Sequence, residues 1–321
     1  MKPRILISDK LHEDAVALAR EFADVDVEIG LTPEMLIQKI KGYDAIIVRS
    51  STKVTKEVID ASTLKIIGRA GVGLDNVDVT AARARGIEIV NSPESSTVSV
   101  AEHAIGLMIA TLRNVPQADK SMRAGQWDRK KFSGNELYGK ILGLIGFGRI
   151  GREVALRAKA FGMKILASDP AITSEDAKEF GAEFVALEEL LRRSDVVSLH
   201  VPATDATRGM MNAERLKLMK PTAVVINTAR GVVIDEAALY DALKNGTIKA
   251  AGLDVYAKEP PVDSPLMQLE NIVLTPHLAS GTSEAQKSAG TVVVEKVGKF
   301  FEQKPPGEEH KLHWFKSSAT Q

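Results

Sequence analysis

A basic residue, an acidic residue and a histidine in the second half of the chain are of the types that move a proton on a small organic acid. They are Arg230, Glu259 and His277, and each follows a short apolar run typical of a buried strand. A histidine, with an ordinary pKa of about 6.5, can take a proton from a hydroxyl group near neutral pH. A carboxylate on its other ring nitrogen would fix the tautomer and stabilise the imidazolium, and an arginine would bind a substrate carboxylate.

A glycine-rich loop indicates in which reaction these three residues could take part. Gly146, Gly148 and Gly151 are spaced as G-x-G-x-x-G between the apolar run 141–145 and a helical pattern. The first glycine permits a tight turn, the second lets a pyrophosphate approach the backbone, and the third lets the helix pack on the strand. The pyrophosphate would then bind free N–H groups at the positive end of the helix. The loop predicts a dinucleotide site; the alternative is a glycine turn in some other α/β domain.

Together these features predict hydride transfer between a dinucleotide and a hydroxy acid. Alone, His277, which follows Pro276, would be interpreted as a structural histidine. The glycine loop supplies the need for a base, and Glu259 supplies the group that orients it.

An acidic residue ends the next predicted strand. Asp169 follows the run 163–168 and can accept hydrogen bonds from ribose hydroxyls. A carboxylate at this point would repel an added ribose phosphate, so the predicted cofactor is NAD rather than NADP.

Composition narrows the functional class. The chain has 321 residues, enough for two domains at roughly 150 residues each, and its 44% hydrophobic content is ordinary for a globular protein. The 42 basic and 42 acidic residues balance, which argues against a nucleic-acid or membrane-surface partner. The absence of cysteine excludes disulfides and thiolate chemistry, and no metal site is predicted. With no signal peptide and no apolar run of about 20 residues, a cytoplasmic location is expected.

Strand and helix patterns alternate along the chain, which predicts the α/β class with two doubly wound parallel sheets. The first sheet draws its strands from residues 5–8, 25–29, 45–48, 65–68 and 87–90, with Thr32 predicted to cap the helix that starts at Pro33. The second sheet extends from residue 141 to residue 274, and a long helix covers residues 283–301. Residues 1–97 and 283–321 are predicted to form one domain, and residues 98–282 the other.

Two strand ends of the first sheet carry arginines. One is followed by Arg49, Ser50 and Lys53, and the other by Arg69, Ala70, Gly71, Val72 and Gly73. Small residues beside Arg69 would let a ligand reach the backbone N–H groups. Either arginine alone would be taken as surface charge, but two at equivalent strand ends favour an anion site.

Three further histidines are left out of the mechanism. His103 lies inside the apolar helical pattern 98–112, where a histidine is more often packed than catalytic. His310 and His313 lie in a polar tail that follows a proline and glycine stop, and a solvated tail is the expected structure there.

Read in order, these segments resemble the D-2-hydroxyacid dehydrogenase family over about residues 48–282. The matching motifs are Val48-Arg-Ser-Ser-Thr-Lys-Val54, Gly68-Arg-Ala-Gly-Val-Gly-Leu-Asp-Asn-Val-Asp78, Gly146 to Gly151, Asn227-Thr-Ala-Arg-Gly231, Asp254-Val-Tyr-Ala-Lys-Glu-Pro260 and Pro276-His277. The resemblance implies a Rossmann NAD-binding domain inserted in a split, flavodoxin-like substrate domain. It also implies a homodimer formed through the helix at 98–112.

The resemblance implies the same catalytic set, Arg230, Glu259 and His277. Its implied cofactor neighbours, beside the three glycines, are Arg149, Ile150, Asp169, Pro202, Thr228, Ala229, Arg230, Asp254, His277, Ala279 and Ser280.

Within the family, the Arg69 segment is most similar to that of enzymes acting on 3-phospho-D-glycerate. We therefore expect Arg49 and Arg69 to bind a substrate phosphate, with Lys53 assisting. A glyoxylate or hydroxypyruvate reductase is the nearest alternative, and an NAD-sensing corepressor that binds peptides is an alternative from another class. Some family members carry a C-terminal regulatory domain that binds serine; the chain is expected to lack one, and serine inhibition with it.

Overall fold

The computed structural model describes residues 2–302, which form twelve strands and twelve α-helices. The strands are β1 (Arg4–Ile7), β2 (Asp24–Val27), β3 (Ala45–Val48), β4 (Ile66–Arg69), β5 (Glu88–Asn91), β6 (Ile141–Ile145), β7 (Lys164–Ser168), β8 (Ala182–Phe184), β9 (Val196–Leu199), β10 (Val224–Asn227), β11 (Ala250–Leu253) and β12 (Ile272–Leu274). The helices are α1 (Glu13–Phe22), α2 (Pro33–Lys39), α3 (Lys56–Asp60), α4 (Val79–Ala84), α5 (Thr97–Arg113), α6 (Val115–Arg123), α7 (Arg149–Ala160), α8 (Ser174–Glu179), α9 (Leu187–Arg193), α10 (Ala213–Leu218), α11 (Glu236–Lys244) and α12 (Ser283–Glu302).

The chain divides into two units. The described part of the first covers residues 2–96 and resumes at Gly281, ending at Glu302; the second is Thr97–Ser280. The boundaries predicted from the sequence lie one or two residues further along the chain. The predicted tail, with His310 and His313, lies outside the described residues.

The first unit is built on a parallel sheet with strand order β2-β1-β3-β4-β5. Its strands alternate their side chains between two cores: Ile5 and Ile7 pack with α1 and α12, while Leu6 packs on the opposite face. Gly68 in β4 makes room for α12, because a Cβ there would lie 2.7 Å from Cγ1 of Val293. The last described helix is therefore part of the first core.

The second unit is a seven-stranded parallel sheet with order β12-β11-β10-β9-β6-β7-β8. Leu142 and Leu144 of β6 pack under α5 and α7, and the opposite face carries a second apolar cluster that includes residues of α9, α10 and α11. Strand order reverses beside β6, which is the place where doubly wound sheets bind ligands. The predicted fold class, two doubly wound parallel sheets, is confirmed.

Local signals explain most element boundaries. β3 and β6 have the predicted bounds, because each is a short apolar run with clear stops. Thr32 caps α2 as predicted, since its hydroxyl accepts a hydrogen bond from the Met35 N–H at 3.3 Å. α1 begins at Glu13, where the ring of the preceding His12 accepts a hydrogen bond from the Asp14 N–H. Among the described helices, none has the length and apolar character needed to cross a membrane.

Candidate active site

The glycine loop has the geometry that a bound pyrophosphate needs. Gly146 has φ +91°, and a Cβ there would lie 2.6 Å from the carbonyl oxygen of His200. A Cβ on Gly151 would lie 2.4 Å from the carbonyl oxygen of Gly146, so this glycine allows α7 to pack against the turn. At Gly148, the N-cap of α7, no atom outside the glycine and its two chain neighbours lies within 4 Å of the position that a Cβ would take. Open space thus lies over the positive end of α7, where Arg149 and Ile150 begin the helix.

Asp169 is held against this loop at the end of β7. One carboxylate oxygen accepts from the Phe147 N–H and the other from the Ala171 N–H, both at 2.8 Å. Each oxygen retains a lone pair for a further donor. The predicted contact with the ribose stays a prediction.

The loop after β10 is ordered by a buried asparagine. The Asn227 side chain accepts from the Ala229 N–H and donates to the Arg230 carbonyl, both at 3.0 Å. Beside it, the buried hydroxyl oxygen of Thr228 has no hydrogen-bond partner in the described part of the chain. A polar atom without a partner and the open space at Gly148 both fit a bound dinucleotide. Pro202, which follows β9, is exposed.

His277 and Glu259 form the pair predicted from the sequence. Nδ1 of His277 lies 2.7 Å from Oε2 of Glu259. The other carboxylate oxygen accepts from the Tyr256 N–H at 3.1 Å, which fixes the orientation of Glu259. Both side chains are partly exposed, at 47% for His277 and 38% for Glu259. A neutral imidazole donating from Nδ1 keeps Nε2 as its basic nitrogen.

Tyr256 connects the pair of His277 and Glu259 to the sheet. Its hydroxyl donates to the Thr275 carbonyl at 2.9 Å. Burial and the nearby carboxylates of Asp254 and Glu259 raise the pKa of Tyr256 to about 12, so the phenol remains a donor at neutral pH. The tyrosine therefore links the Glu259 loop to the strand end that leads to His277.

Arg230 is joined to the same loops through its neighbour. Gly231 lies against the backbone of Tyr256, where a Cβ would be 1.8 Å from the carbonyl carbon. The Arg230 guanidinium donates to the Ala229 carbonyl at 2.7 Å. The structure thus connects the Arg230 loop to the Glu259 loop, and Glu259 to His277.

A buried carboxylate shapes the backbone around His277. Asp254 is 0% exposed, and its two oxygens accept from the Leu278 and Ala279 N–H groups, both at 2.9 Å. The His277 N–H donates to the Asp254 carbonyl at 2.8 Å. His277 has φ +50°, a left-handed conformation that is uncommon outside glycine. Burial alone would raise the pKa of Asp254, but these hydrogen bonds, with those from His103 and Thr275, outweigh it and lower the pKa.

Asp254 was predicted as a cofactor neighbour, and that role stays a prediction; what the structure shows is that it anchors the His277 loop. Ala279 is buried in this loop and Ser280, at its end, is exposed.

Sequence reasoning expected a packed His103 and missed its polar contacts. Its Nε2 lies 3.0 Å from the Thr275 hydroxyl and 3.4 Å from Oδ1 of Asp254. The side chain is 20% exposed, so the expected packing is present, but the ring also makes polar contacts behind the His277 loop. No local signal could have found them, because His103 and Thr275 are 172 residues apart.

In the first unit, the predicted anion-binding segments leave adjacent strands. Val48 at the end of β3 pairs with Arg69 at the end of β4. Asp9, 3% exposed, accepts from the N–H groups of Arg49 and Thr52, and Asn76 donates to the carbonyls of both. Sequence reasoning missed Asp9 and Asn76, which hold this loop in place. Ser50 and Lys53 are exposed on it.

The Arg69 guanidinium folds over the glycine that follows it. A Cβ on Gly71, which has φ +143°, would lie 1.7 Å from Nη1 of Arg69. The Gly71 N–H donates to the Ser92 hydroxyl at 2.8 Å, while Ala70 is buried and Val72 and Gly73 are more accessible. The side chains of the described residues form no cluster that could hold a metal ion.

Comparison with known proteins places these loops in a family. Residues 105–279 match the model described as D-isomer specific 2-hydroxyacid dehydrogenase, NAD binding domain. The chain is similar to D-3-phosphoglycerate dehydrogenase of Methanocaldococcus jannaschii, at 54% identity over 92% of this chain and 57% of that protein. It therefore spans little more than half the length of that relative.

Solved structures match nearly end to end. A protein of Thermus thermophilus is 37% identical with a TM-score of 0.86, covering 94% of this chain and 98% of that chain. A glyoxylate reductase from Paecilomyes thermophila is 33% identical with a TM-score of 0.86, covering 94% of this chain and 96% of that chain.

Proposed function

Because the chain belongs to the D-isomer specific 2-hydroxyacid dehydrogenase family, we propose that it oxidises 3-phospho-D-glycerate to 3-phosphohydroxypyruvate with NAD. This is the reaction of D-3-phosphoglycerate dehydrogenase, the first step of serine biosynthesis. The observation that supports it most directly is the 2.7 Å pair of His277 and Glu259, on the same sheet as the glycine loop. The pair supplies a base of fixed tautomer where the family needs one.

His277 is the proposed general base. Its Nε2 takes the proton from the substrate hydroxyl as the carbonyl forms, and Glu259 stabilises the resulting imidazolium through Nδ1. In the reducing direction the same imidazolium returns the proton to the carbonyl oxygen. Bound NAD supplies the hydride acceptor on the carbon side of this chemistry.

Arg230 is proposed to hold the substrate carboxylate and polarise its carbonyl. A guanidinium presents its donors in a planar fork that matches a carboxylate. Each charge-assisted hydrogen bond of this type contributes roughly 1.5 to 3 kcal/mol.

Arg49 and Arg69 are proposed to bind the substrate phosphate. Both follow neighbouring strands, and the Arg49 backbone is fixed by Asp9 and Asn76. Two guanidinium groups match the charge of a phosphate. A keto acid without a phosphate would make fewer contacts with them.

Asp169 is proposed to select NAD over NADP, because its carboxylate lies at the glycine loop, where an added ribose phosphate would be repelled.

A homodimer formed through α5 and a cytoplasmic location are also proposed; the first rests on the family resemblance, the second on the composition. Light scattering would test the dimer.

The deciding experiment compares NADH oxidation with 3-phosphohydroxypyruvate, hydroxypyruvate and glyoxylate. We expect kcat/KM for the phosphorylated acid to exceed the others by about 10- to 150-fold, the value of one charge-assisted contact. Equal or faster turnover of glyoxylate would instead establish a glyoxylate reductase, the activity named for one of the similar structures. No turnover of any keto acid would favour a binding protein.

A further inference from the structure

We propose that His103 is a positioning residue for the proton-transfer step, holding the His277 loop through Thr275 and Asp254. The contacts run from α5 to the strand end: Nε2 of His103 to the Thr275 hydroxyl at 3.0 Å, and that hydroxyl to Oδ1 of Asp254 at 2.6 Å. The Asp254 carboxylate in turn accepts from the N–H groups of Leu278 and Ala279, the two residues that follow His277. The inference rests on the proposed function, since it assigns a role toward His277.

The direction of each hydrogen bond in this link can be worked out. The lowered pKa of Asp254 keeps the carboxylate ionised, and an ionised carboxylate only accepts. The single Thr275 proton must therefore point to Asp254, so the hydroxyl oxygen is an acceptor toward His103. His103 thus carries a proton on Nε2. The link needs a donor at this position, and a purely apolar side chain would not replace it.

The loop needs such support because its backbone is strained. A non-glycine residue at φ +50° costs on the order of 1 kcal/mol or more, and it persists only where its surroundings hold it. The surroundings here are the Asp254 carbonyl, which accepts from the His277 N–H, and the Asp254 carboxylate, which binds the next two N–H groups. His103 fixes that carboxylate from the helix side. Hydrogen bonds in such a chain strengthen one another.

A plain packing role makes a different prediction. If His103 only fills space in α5, an apolar residue of similar size should preserve the loop. If it positions His277, losing the donor should loosen the loop and lower the rate, since a misplacement of about 1 Å can cost about 10²-fold. His103→Leu removes the donor, whereas His103→Gln keeps an amide N–H near the position of Nε2.

The first measurement needs no substrate. Amide hydrogen exchange at Leu278 and Ala279, whose N–H groups donate to Asp254, reports on the loop directly. We expect exchange at least tenfold faster in His103→Leu and near the wild-type rate in His103→Gln. Unchanged exchange in His103→Leu would overturn the proposal, whatever substrate the enzyme prefers.

The second measurement is kinetic, with 3-phosphohydroxypyruvate and NADH. We expect kcat to fall about 10- to 100-fold in His103→Leu with KM changed less than threefold, and His103→Gln to recover most of the loss. Thr111→Val is the matched control: Thr111 lies on the same helix, and its buried hydroxyl has no partner in the described part of the chain. Its kcat should stay at the wild-type value.

The outcomes separate the two proposals. An inactive wild type with normal exchange protection would remove the proposed function, while the exchange data would still decide whether His103 holds the loop. Equal losses in His103→Leu and His103→Gln would overturn the positioning role. If His103→Leu fails to fold, Thr275→Val cuts the same link from the other side, with Thr275→Ser as its conservative partner. Wild-type exchange and kcat in Thr275→Val would also overturn it.

Discussion

Asp9 in the first unit and Asp254 in the second each hold a neighbouring loop by its backbone, and the two loops present residues with different proposed roles. Each lies just after a strand, is almost fully buried, and accepts hydrogen bonds from backbone N–H groups of a neighbouring loop. The Asp9 loop presents Arg49, a fixed positive charge. The Asp254 loop presents His277, the proposed base, and only this loop of the two has a non-glycine residue at positive φ.

The proposed roles of Arg49 and His277 account for the difference between the two loops. An arginine attracts an anion over several ångströms, so moderate precision is enough. A base must reach one proton at hydrogen-bond distance, which requires a more tightly defined backbone. The second loop is accordingly bound at three consecutive N–H groups, those of His277, Leu278 and Ala279. Substitutions in either loop test this difference.

The largest effect is expected on the proton-transfer side. His277→Ala should lower kcat by about 10²- to 10⁴-fold, because the general base is lost, and should leave NAD binding intact. Steady-state kinetics and NADH fluorescence titration measure the two quantities. A loss of less than tenfold would show that His277 is not the base.

On the anion side, Arg69→Ala should lower kcat/KM for 3-phosphohydroxypyruvate by about 10- to 150-fold, the worth of one charge-assisted contact. Hydroxypyruvate, which lacks the phosphate, should lose less than threefold. Arg83→Ala removes the same charge from an exposed position on α4 and serves as the control. Equal losses on both substrates would mean that Arg69 does not bind the phosphate.

The close approach of two loops in the second unit can be tested through stability. Gly231→Ala should lower the free energy of unfolding by about 1 to 3 kcal/mol, because the new methyl group overlaps the Tyr256 backbone. Gly106→Ala, on an exposed helical position with open space, should instead raise it by about 0.5 to 1 kcal/mol. Urea denaturation gives both values. Similar effects from the two substitutions would argue against the contact.

Cofactor choice tests the charge at the glycine loop. Asp169→Asn should reduce the ratio of NAD to NADP activity by about tenfold, since it removes the repulsion worth on the order of 1 kcal/mol. Asparagine keeps one oxygen that can accept from the backbone, so the loop should remain folded. An unchanged ratio would remove Asp169 from the specificity assignment.

The smallest effect concerns pH. Burial lowers the pKa of His200 to about 4, below its ordinary value of 6.5, so the unfolded chain binds more protons than the folded one between these values. Stability should therefore fall as the pH drops through this window, by about 1 kcal/mol between pH 7 and pH 5.5 from this residue. His200→Gln should show a shallower decline in urea titrations. The same slope in both proteins would contradict a His200 that stays neutral in the folded state.

Sequence patterns predicted more of the fold than of the site. Continuous apolar runs such as 45–48 and 141–145 gave strands with the right bounds, because a strand buried on both faces needs no partner to be recognised. The pairing of Glu259 with His277 was also predictable, since both follow strands of one parallel sheet. The contacts and backbone conformation that hold the site residues in place were not predictable. Asp9 and Thr52 are 43 residues apart, His103 and Thr275 are 172 apart, and no local pattern predicts a histidine at positive φ.

The place of α12 has a consequence for synthesis. Val293 and Val297 of this helix fill the space over Gly68, so the first sheet lacks one of its covering layers until the chain has been made past them. The second unit, whose strands and helices lie in one continuous segment, can complete its core earlier. During translation the second unit can therefore complete its core before the first. Until α12 has been made, the first sheet keeps part of an apolar face uncovered, and an uncovered apolar face is a surface that chaperones can bind.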